Sequence, residues 1–408
     1  MISTSQPANT VRVLGMISGT SHDGIDTAIV AFTRTGDTLI AAIEHSDTIP
    51  YPARLRADLA AALPPAPIGF DTVARLDTHI GHAFAAAATT ALQDHTTAGG
   101  APVDLICTHG QTVFHWVDGA HALGTLQIGQ PAWIGEATGL PVVSDIRTAD
   151  IAAGGHGAPL VPILDQLLLA PDTRAGQRTG ALNLGGIANI TVAAAGQDPI
   201  AWDIGPANAL IDAAIADDQT TPDVFDRDGA LGAAGIVHPE LLAAFLAEPY
   251  YALPVPKSSG KELFHGGYVR HVVDSIGLTP TLPDLVATLT AVTATIVADA
   301  IRAAQLDRVI VSGGGVRNPT LMAAIRDRLP NVPVDTSDAL GIPVDSKEAV
   351  AFALIGWATL HGLPGNVPSC TGARQPRILG RISNACRPLS LPTSLQQWPT
   401  TLTVQETS

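Results

Sequence analysis

The sequence predicts a two-domain α/β protein whose halves repeat one plan. The chain has 408 residues, more than one hydrophobic core usually supports. An apolar run, a glycine-rich turn and an apolar strand open the chain over residues 11–32. The same order returns at Gly180–Ala193 (GALNLGGIANITVA). An echo of this kind signals duplicated halves, here expected to face a cleft.

Val11–Gly15 enters the first turn, Ile25–Phe32 leaves it as a second strand, and Leu39–His45 reads as a third. The start is therefore a β-meander rather than a strand–loop–helix unit. Ala53–Leu63 and the alanine-loaded Asp71–His95 read as helices, because alanine is the strongest helix former. Val103–Thr108 reads as a buried strand that ends at THGQT, and Leu123–Ile128 and Leu140–Ser144 as short extended pieces. The turn Gly154–Gly157 marks the boundary between the halves. In the second half a helix is expected to start at Pro206, since proline suits a first helical turn. The helix Asp284–Gln305, the strand Arg308–Val311, the turn Gly313–Gly315, a helix near Pro319–Arg328 and the strand Val332–Asp335 follow. A last helix, Lys347–His361, is expected to bridge back to the first half, and the Pro/Ser/Thr-rich tail beyond Arg387 to be peripheral or poorly ordered.

Composition narrows the function. Hydrophobic residues make up 46% and charged residues 14% of the chain, but the apolar excess is largely alanine. No run reaches the ~18–20 uninterrupted apolar residues of a bilayer span. Met1–Thr10 is polar and lacks the features of a signal peptide, so a cytoplasmic location without membrane partners is expected. Cys107, Cys370 and Cys386 lie far apart and form no CxxC pair, against a disulfide framework or a cysteine zinc site. A net charge of −15 and 4% aromatics disfavour nucleic acid as a partner.

No GxxxxGK[ST] or GxGxxG motif occurs. Ser18-Gly-Thr-Ser-His-Asp-Gly24 nevertheless combines clustered backbone N–H groups with hydroxyls, a set that suits phosphate oxygens. Asp23 could hold Mg²⁺ directly or through water. By itself the segment is also an ordinary hairpin turn. Its echo Asn183-Leu-Gly-Gly-Ile-Ala-Asn189, with Gly185 and Gly186, makes a second cradle. Gly313, Gly314 and Gly315, after an apolar strand, would admit a flat base or ribose. Together the three turns favour nucleotide binding. Asp203 in Trp202-Asp-Ile-Gly-Pro-Ala-Asn208 is a candidate general base ahead of a helix, or a charge complementing that helix N-terminus. Asp345-Ser-Lys-Glu348 matches a capping box. His109 and Gln111 in THGQT, and Asp145, Arg147 and Asp150, sit at strand ends, where α/β proteins bind ligands. His109, His115 and His156 lack the i, i+4 spacing of a helical zinc site.

The ordered set GMISGTSHDGID, THGQT, QIGQPAWIGEATGLPVVSDIR, AAGGHGAPLVP, NLGGIANIT, WDIGPANALID, FDRDGA, PKSSGKE, SGGGVRN and TGARQPR resembles the anhydro-N-acetylmuramic acid kinase family over residues 11–380. The resemblance implies two ribonuclease-H-like domains of the actin/hexokinase ATPase type around a central cleft. The first would cover residues 11–154 with a bridging segment 346–384, the second, nucleotide-binding domain 155–345, and the tail 388–408. It implies ATP and Mg²⁺, a homodimer, and an anhydro-sugar substrate that is opened by water and phosphorylated on O6, in cell-wall recycling. Asp203 would be the base and Glu348 would help to orient the water, which displaces the capping reading. Ser18, Gly19, Thr20, Ser21, His22, Asp23, Gly24, Ile25, Gly185, Gly186, Asn189 and Gly313–Gly315 would meet the nucleotide. His109, Gln111, Arg147, Gly205 and Asn208 would meet the sugar. Here His22 stands where the family usually has Leu, and Thr148 where a second basic residue is expected. Levoglucosan kinase chemistry, a simple hydroxyl kinase and a nucleotide-driven switch are the alternatives.

Overall fold

The computed structural model describes residues 10–19, 22, 24–63, 67–118, 121–218, 221, 223–260, 263–386 and 388–405. By contact density the chain separates into two units, Met1–Ala170 with Ser346–Ser408, and Pro171–Asp345. The division falls within the helix Pro162–Arg174.

The first unit opens with β1 (Thr10–Ser18), β2 (Gly24–Thr35) and β3 (Thr38–Pro50), paired antiparallel in sequence order. The helices α1 (Ala53–Ala62) and α2 (Phe70–Thr97) follow. In α2, Leu76, Ile80, Phe84, Ala88 and Ala91 are buried, the three-to-four spacing that places one helical stripe on a core. They pack with Leu14, Met16, Ile25 and Ile29 of the hairpin.

β4 (Leu105–Asp118) runs well beyond THGQT and pairs with β5 (His121–Ile128). The expected strand end at Thr108 is therefore corrected. Gly110 takes φ +70°, a left-handed conformation that glycine adopts without steric cost, and the chain bends there without leaving the sheet. α3 (Pro131–Thr138), β6 (Val142–Ser144), α4 (Thr148–Ala152) and α5 (Pro162–Arg174) complete this segment.

The second unit holds β7 (Thr179–Leu184), β8 (Ile187–Ala193) and β9 (Ile200–Pro206), then α6 (Ala209–Asp217), α7 (Ala230–Ala234), α8 (Pro239–Leu246), α9 (Gly266–Ile276) and α10 (Leu282–Ala303). β10 (Arg308–Ser312), α11 (Pro319–Arg328) and β11 (Val334–Thr336) close it. Pro206 ends β9 rather than starting a helix. α10 is long and apolar enough to cross a membrane by composition, but 72% of its most apolar window is buried, packed under β7, β8 and β9. It is a core helix.

The chain then returns to the first unit with α12 (Lys347–Leu360), α13 (Pro368–Thr371), β12 (Arg381–Ser383) and β13 (Thr401–Gln405). α12 is buried almost all round and lies so close to the sheet that a Cβ on Gly15 would sit 2.0 Å from the Ala349 carbonyl oxygen. The tail is placed rather than loose: β13 pairs parallel with β3, and Trp398 Nε1 donates to the Pro364 carbonyl at 2.9 Å.

The two sheets share one order. In the first unit it is β12-β6-β4-β1-β2-β3-β13 with β5 on β4, and in the second β11-β10-β7-β8-β9. Each centres on an antiparallel three-strand meander flanked by two parallel strands. This is the ribonuclease-H-like order, present in both units.

Candidate active site

In the first unit, THGQT and the DIR segment meet. Ser18 Oγ donates to Gln111 Oε1 at 2.6 Å, and Gln111 Nε2 donates to the Gly19 carbonyl at 3.4 Å. The long strand β4 thus braces the first glycine turn. His109 is buried and lies 5.1 Å, ring to ring, from Phe352 of α12. Arg147 Nε donates to His109 Nε2 at 2.8 Å. A guanidinium can only donate, so Nε2 accepts and the imidazole proton sits on Nδ1, 3.0 Å from the Gly110 carbonyl. Burial, then the Arg147 charge, push the His109 pKa down to about 3 against the pull of that carbonyl. The ring is neutral at physiological pH.

Burial lowers the Arg147 pKa to about 10, with Glu348 opposing, so the guanidinium keeps its charge at pH 7. Its Nη atoms have no hydrogen-bond partner among the described residues. His115 lies nearby, its pKa lowered by burial and by Arg147 and His156. Its buried Nδ1 has no partner among the described residues. Asp150, fully buried, is by contrast occupied: it accepts from the Gly157 amide, Asn366 Nδ2 and Thr371 Oγ1. It ties the Gly154–Gly157 turn to the TGARQPR segment.

Glu348 is no capping residue. The N-cap of α12 is Ser346 and carries no side-chain cap bond. The Glu348 carboxyl is held above its ordinary range, first by burial and then by the Asp26 carboxylate; Lys347 and Arg147 pull it down less. Lys347 Nζ is engaged with Asp165 Oδ1 at 2.6 Å, and Arg147 has the weaker pull of the two cations. Asp26 accepts from Thr48 Oγ1 at 2.6 Å.

In the second unit, strand register sets a row of polar residues across four strands. Ser312 of β10 is paired with Asn183 of β7, Asn183 with Asn189 of β8, and Asn189 with Asp203 of β9. The glycine turn beside that row is tied to the start of α6, because the Ala207 and Ala209 amides donate to the Gly186 carbonyl. Asn208 Nδ2 donates to the Leu184 and Gly185 carbonyls at 3.2 and 2.9 Å. The Gly313–Gly315 turn packs against the same stretch. A Cβ on Gly313 (φ +87°) would lie 2.4 Å from Asn183 Oδ1, and one on Gly315 2.7 Å from Leu184 Cβ, whereas one on Gly314 meets nothing within 4 Å. Two glycines let backbone meet backbone, and the middle one faces open space.

Asp203 is held through its main chain and through one carboxylate oxygen. Ser258 Oγ and the Ser259 amide donate to its Oδ2 at 2.9 and 3.0 Å. Its own amide donates to the Lys257 carbonyl, and its carbonyl accepts from Tyr250 Oη at 2.8 Å. Gly205 takes φ +155°, and a Cβ there would lie 2.8 Å from both Ile296 Cδ1 and Tyr251 Cε1.

The first unit therefore groups Ser18, Gly19, His109, Gln111, Arg147 and Glu348, and the second groups Gly185, Gly186, Asn189, Asp203, Gly205, Asn208 and Gly313–Gly315. His22 sits in the first turn with φ +54°, its amide donating to the Gly19 carbonyl. Gly24 is in β2 against Ile49 and Pro50. The Ile25 side chain belongs to the core, at 1% exposure, so that residue can offer a ligand only its backbone. Thr20, Ser21 and Asp23, with the Mg²⁺ expectation on Asp23, lie outside the described residues. Among the described residues, no group of three or more His, Cys, Asp or Glu side chains could hold a metal ion. Sequence reading gives no role to Asp26 or to the two serines on Asp203, and names Asn183 only as a turn residue and His115 only as a histidine without helical zinc spacing. PKSSGKE supplied a motif for the serines but no partner.

Residues 11–385 match the family model described as Anhydro-N-acetylmuramic acid kinase. The chain is 48% identical over 404 residues to the anhydro-N-acetylmuramic acid kinase of Rhodococcus erythropolis, covering 97% of this chain and 100% of that one. It is 49% identical over 398 residues to the protein of the same name from Streptomyces coelicolor, covering 97% and 99%.

Proposed function

Because the chain belongs to the anhydro-N-acetylmuramic acid kinase family, we propose that it opens 1,6-anhydro-N-acetylmuramate with water and phosphorylates O6 at the expense of ATP. Water would add to C1, the C1–O6 bond would break, and O6 would take the γ-phosphoryl group, leaving N-acetylmuramate 6-phosphate and ADP. Asp203 takes the proton of the attacking water. Attack at C1 from the face opposite O6 resembles an inverting glycosidase, in which one carboxylate activates water. Glu348 assists in orienting that water.

The observation that carries the choice of sugar is Arg147. His109 takes only Nε of this guanidinium, which leaves the Nη atoms to donate to an anion, and the planar fork matches a carboxylate. The substrate's lactyl carboxylate is such a group, and 1,6-anhydroglucose has none. His109, locked neutral, orients Arg147 without competing for the anion. Gln111 is proposed to meet the sugar from the same strand.

The Gly313–Gly315 turn supports nucleotide binding, since side chains are excluded at its outer glycines and its middle glycine lies open. With Gly185 and Gly186 it offers backbone amides to phosphates, and the first turn is proposed to do the same. Mg²⁺ would neutralise phosphate charge; it is commonly held by one or two carboxylates with the phosphates themselves, and Asp23 is the proposed protein ligand. Phosphoryl transfer then needs mainly positioning and charge neutralisation. A cytoplasmic homodimer acting in cell-wall recycling fits this reading. Turnover in H₂¹⁸O tests it: ¹⁸O at C1 of the phosphorylated product is expected, and an unlabelled product would leave only a simple hydroxyl kinase.

A further inference from the structure

The segment Glu248–Ser259 contacts Asp203 at both its main chain and its carboxylate. Main-chain contacts already dock it. The Asp203 amide reaches the Lys257 carbonyl, and Tyr250 Oη returns to the Asp203 carbonyl at 2.8 Å. Lys257 Nζ ties down the Tyr250 and Tyr251 carbonyls, each at 2.9 Å, and lies 4.6 Å over the Tyr250 ring. The segment is thus fixed against β9 before any contact to the carboxylate is considered.

Two further donors from consecutive residues then converge on one carboxylate oxygen, Oδ2: Ser258 Oγ at 2.9 Å and the Ser259 amide at 3.0 Å. Ser258 is itself exposed, so its hydroxyl could be satisfied by water, and a hydrogen bond in that setting stabilises a fold little. What the pair of donors does achieve is geometric. An aspartate has two side-chain torsions, the second of them broad, and two donors on one oxygen fix both. Resting on the reading of Asp203 as the base, we propose that Ser258 is a positioning residue for it, holding the carboxylate in the orientation in which it accepts the proton of the attacking water. The logic is that of a catalytic base oriented by a third group, reached through a hydroxyl and not through a second carboxylate. Misplacement of a reacting group by a fraction of an ångström lowers turnover without weakening substrate binding.

The test is steady-state kinetics of the full chain and its Ser258→Ala and Ser258→Thr variants, following ADP release with anhydro-N-acetylmuramate and ATP. Ser258→Ala is expected to lose roughly tenfold in kcat with both KM values within about twofold. Ser258→Thr, which keeps a hydroxyl, is expected within about twofold of the parent. The inference is overturned if the alanine variant keeps its kcat, if the loss appears in KM instead, or if threonine fares no better than alanine. Asp203→Asn is measured alongside. Loss of turnover there with an unaffected Ser258→Ala sinks this inference alone, whereas an active Asp203→Asn sinks the base assignment and this inference with it.

Discussion

Replacing Glu348 by Gln should make the protein more stable at neutral pH while lowering its activity. The folded chain raises the carboxyl's pKa above the ordinary 4.5, through burial and the Asp26 carboxylate. Between 4.5 and the raised value the folded chain keeps a proton that the unfolded chain releases, so stability falls as pH rises through that window. Each unit of elevation corresponds to about 1.4 kcal/mol. Opposing it are Lys347 and Arg147, but the first is paired with Asp165 at 2.6 Å and the second pulls least of the neighbouring charges. Burial therefore wins the competition. A neutral Gln of the same shape avoids the cost of an incompletely paired buried charge, for a gain of about 1–3 kcal/mol at pH 8. That gain should shrink as pH falls towards 4.5. Urea unfolding of both proteins at pH 5.5 and pH 8, with kcat measured in parallel, is the assay. A Gln variant less stable than the parent at pH 8 would show that Lys347 and Arg147 pay for the ionised carboxylate, and would refute the reasoning.

Two further outcomes follow from packing. Gly313→Ala should lower the urea midpoint by an amount equivalent to about 1–3 kcal/mol, since it forces a side chain to φ +87° against Asn183 and Leu184, whereas Gly314→Ala should stay within about 0.5 kcal/mol. Equal effects at the two positions would contradict the account of that turn. Lys347→Met should cost about 3–5 kcal/mol in the same measurement, because it removes the cation from a pair whose side chains are only 6% and 4% exposed; adding Asp165→Leu should restore much of the loss.

The hairpins and the glycine turns were legible in the sequence because alternation and glycine clusters report local geometry directly. The last helix shows where that legibility stops. Asp345-Ser-Lys-Glu348 has the spacing of a capping box, yet the Asp345 carboxylate pairs with Arg317 and Glu348 feels Asp26 and Arg147. The same i, i+3 pattern serves a cap or a site, and only tertiary neighbours decide. Pro206 was misread for a related reason: proline at a first helical turn and proline closing a strand are alike in sequence, and here the helix waits until Ala209. The serines on Asp203 stand 55 and 56 positions away along the chain, beyond any local signal. The tail's low complexity concealed Trp398 and Leu402, the first hydrogen-bonded to Pro364 and the second buried at 5%. Asp203 and Arg147 are both legible from their motifs; what the sequence could not supply was the surroundings that distinguish a clamped base and a cation bonded only to a neutral histidine from structural residues.

The most direct test of the central claim is ADP release by the purified protein with ATP, Mg²⁺ and either anhydro-N-acetylmuramate or levoglucosan, repeated with Arg147→Ala. Saturable ADP release with anhydro-N-acetylmuramate is expected, with little from levoglucosan, and Arg147→Ala should raise KM for the former by roughly tenfold or more, the worth of a charged hydrogen bond. Equal turnover of both sugars, unaltered by the substitution, would contradict the assignment of Arg147 to the substrate carboxylate and with it the proposed choice of sugar.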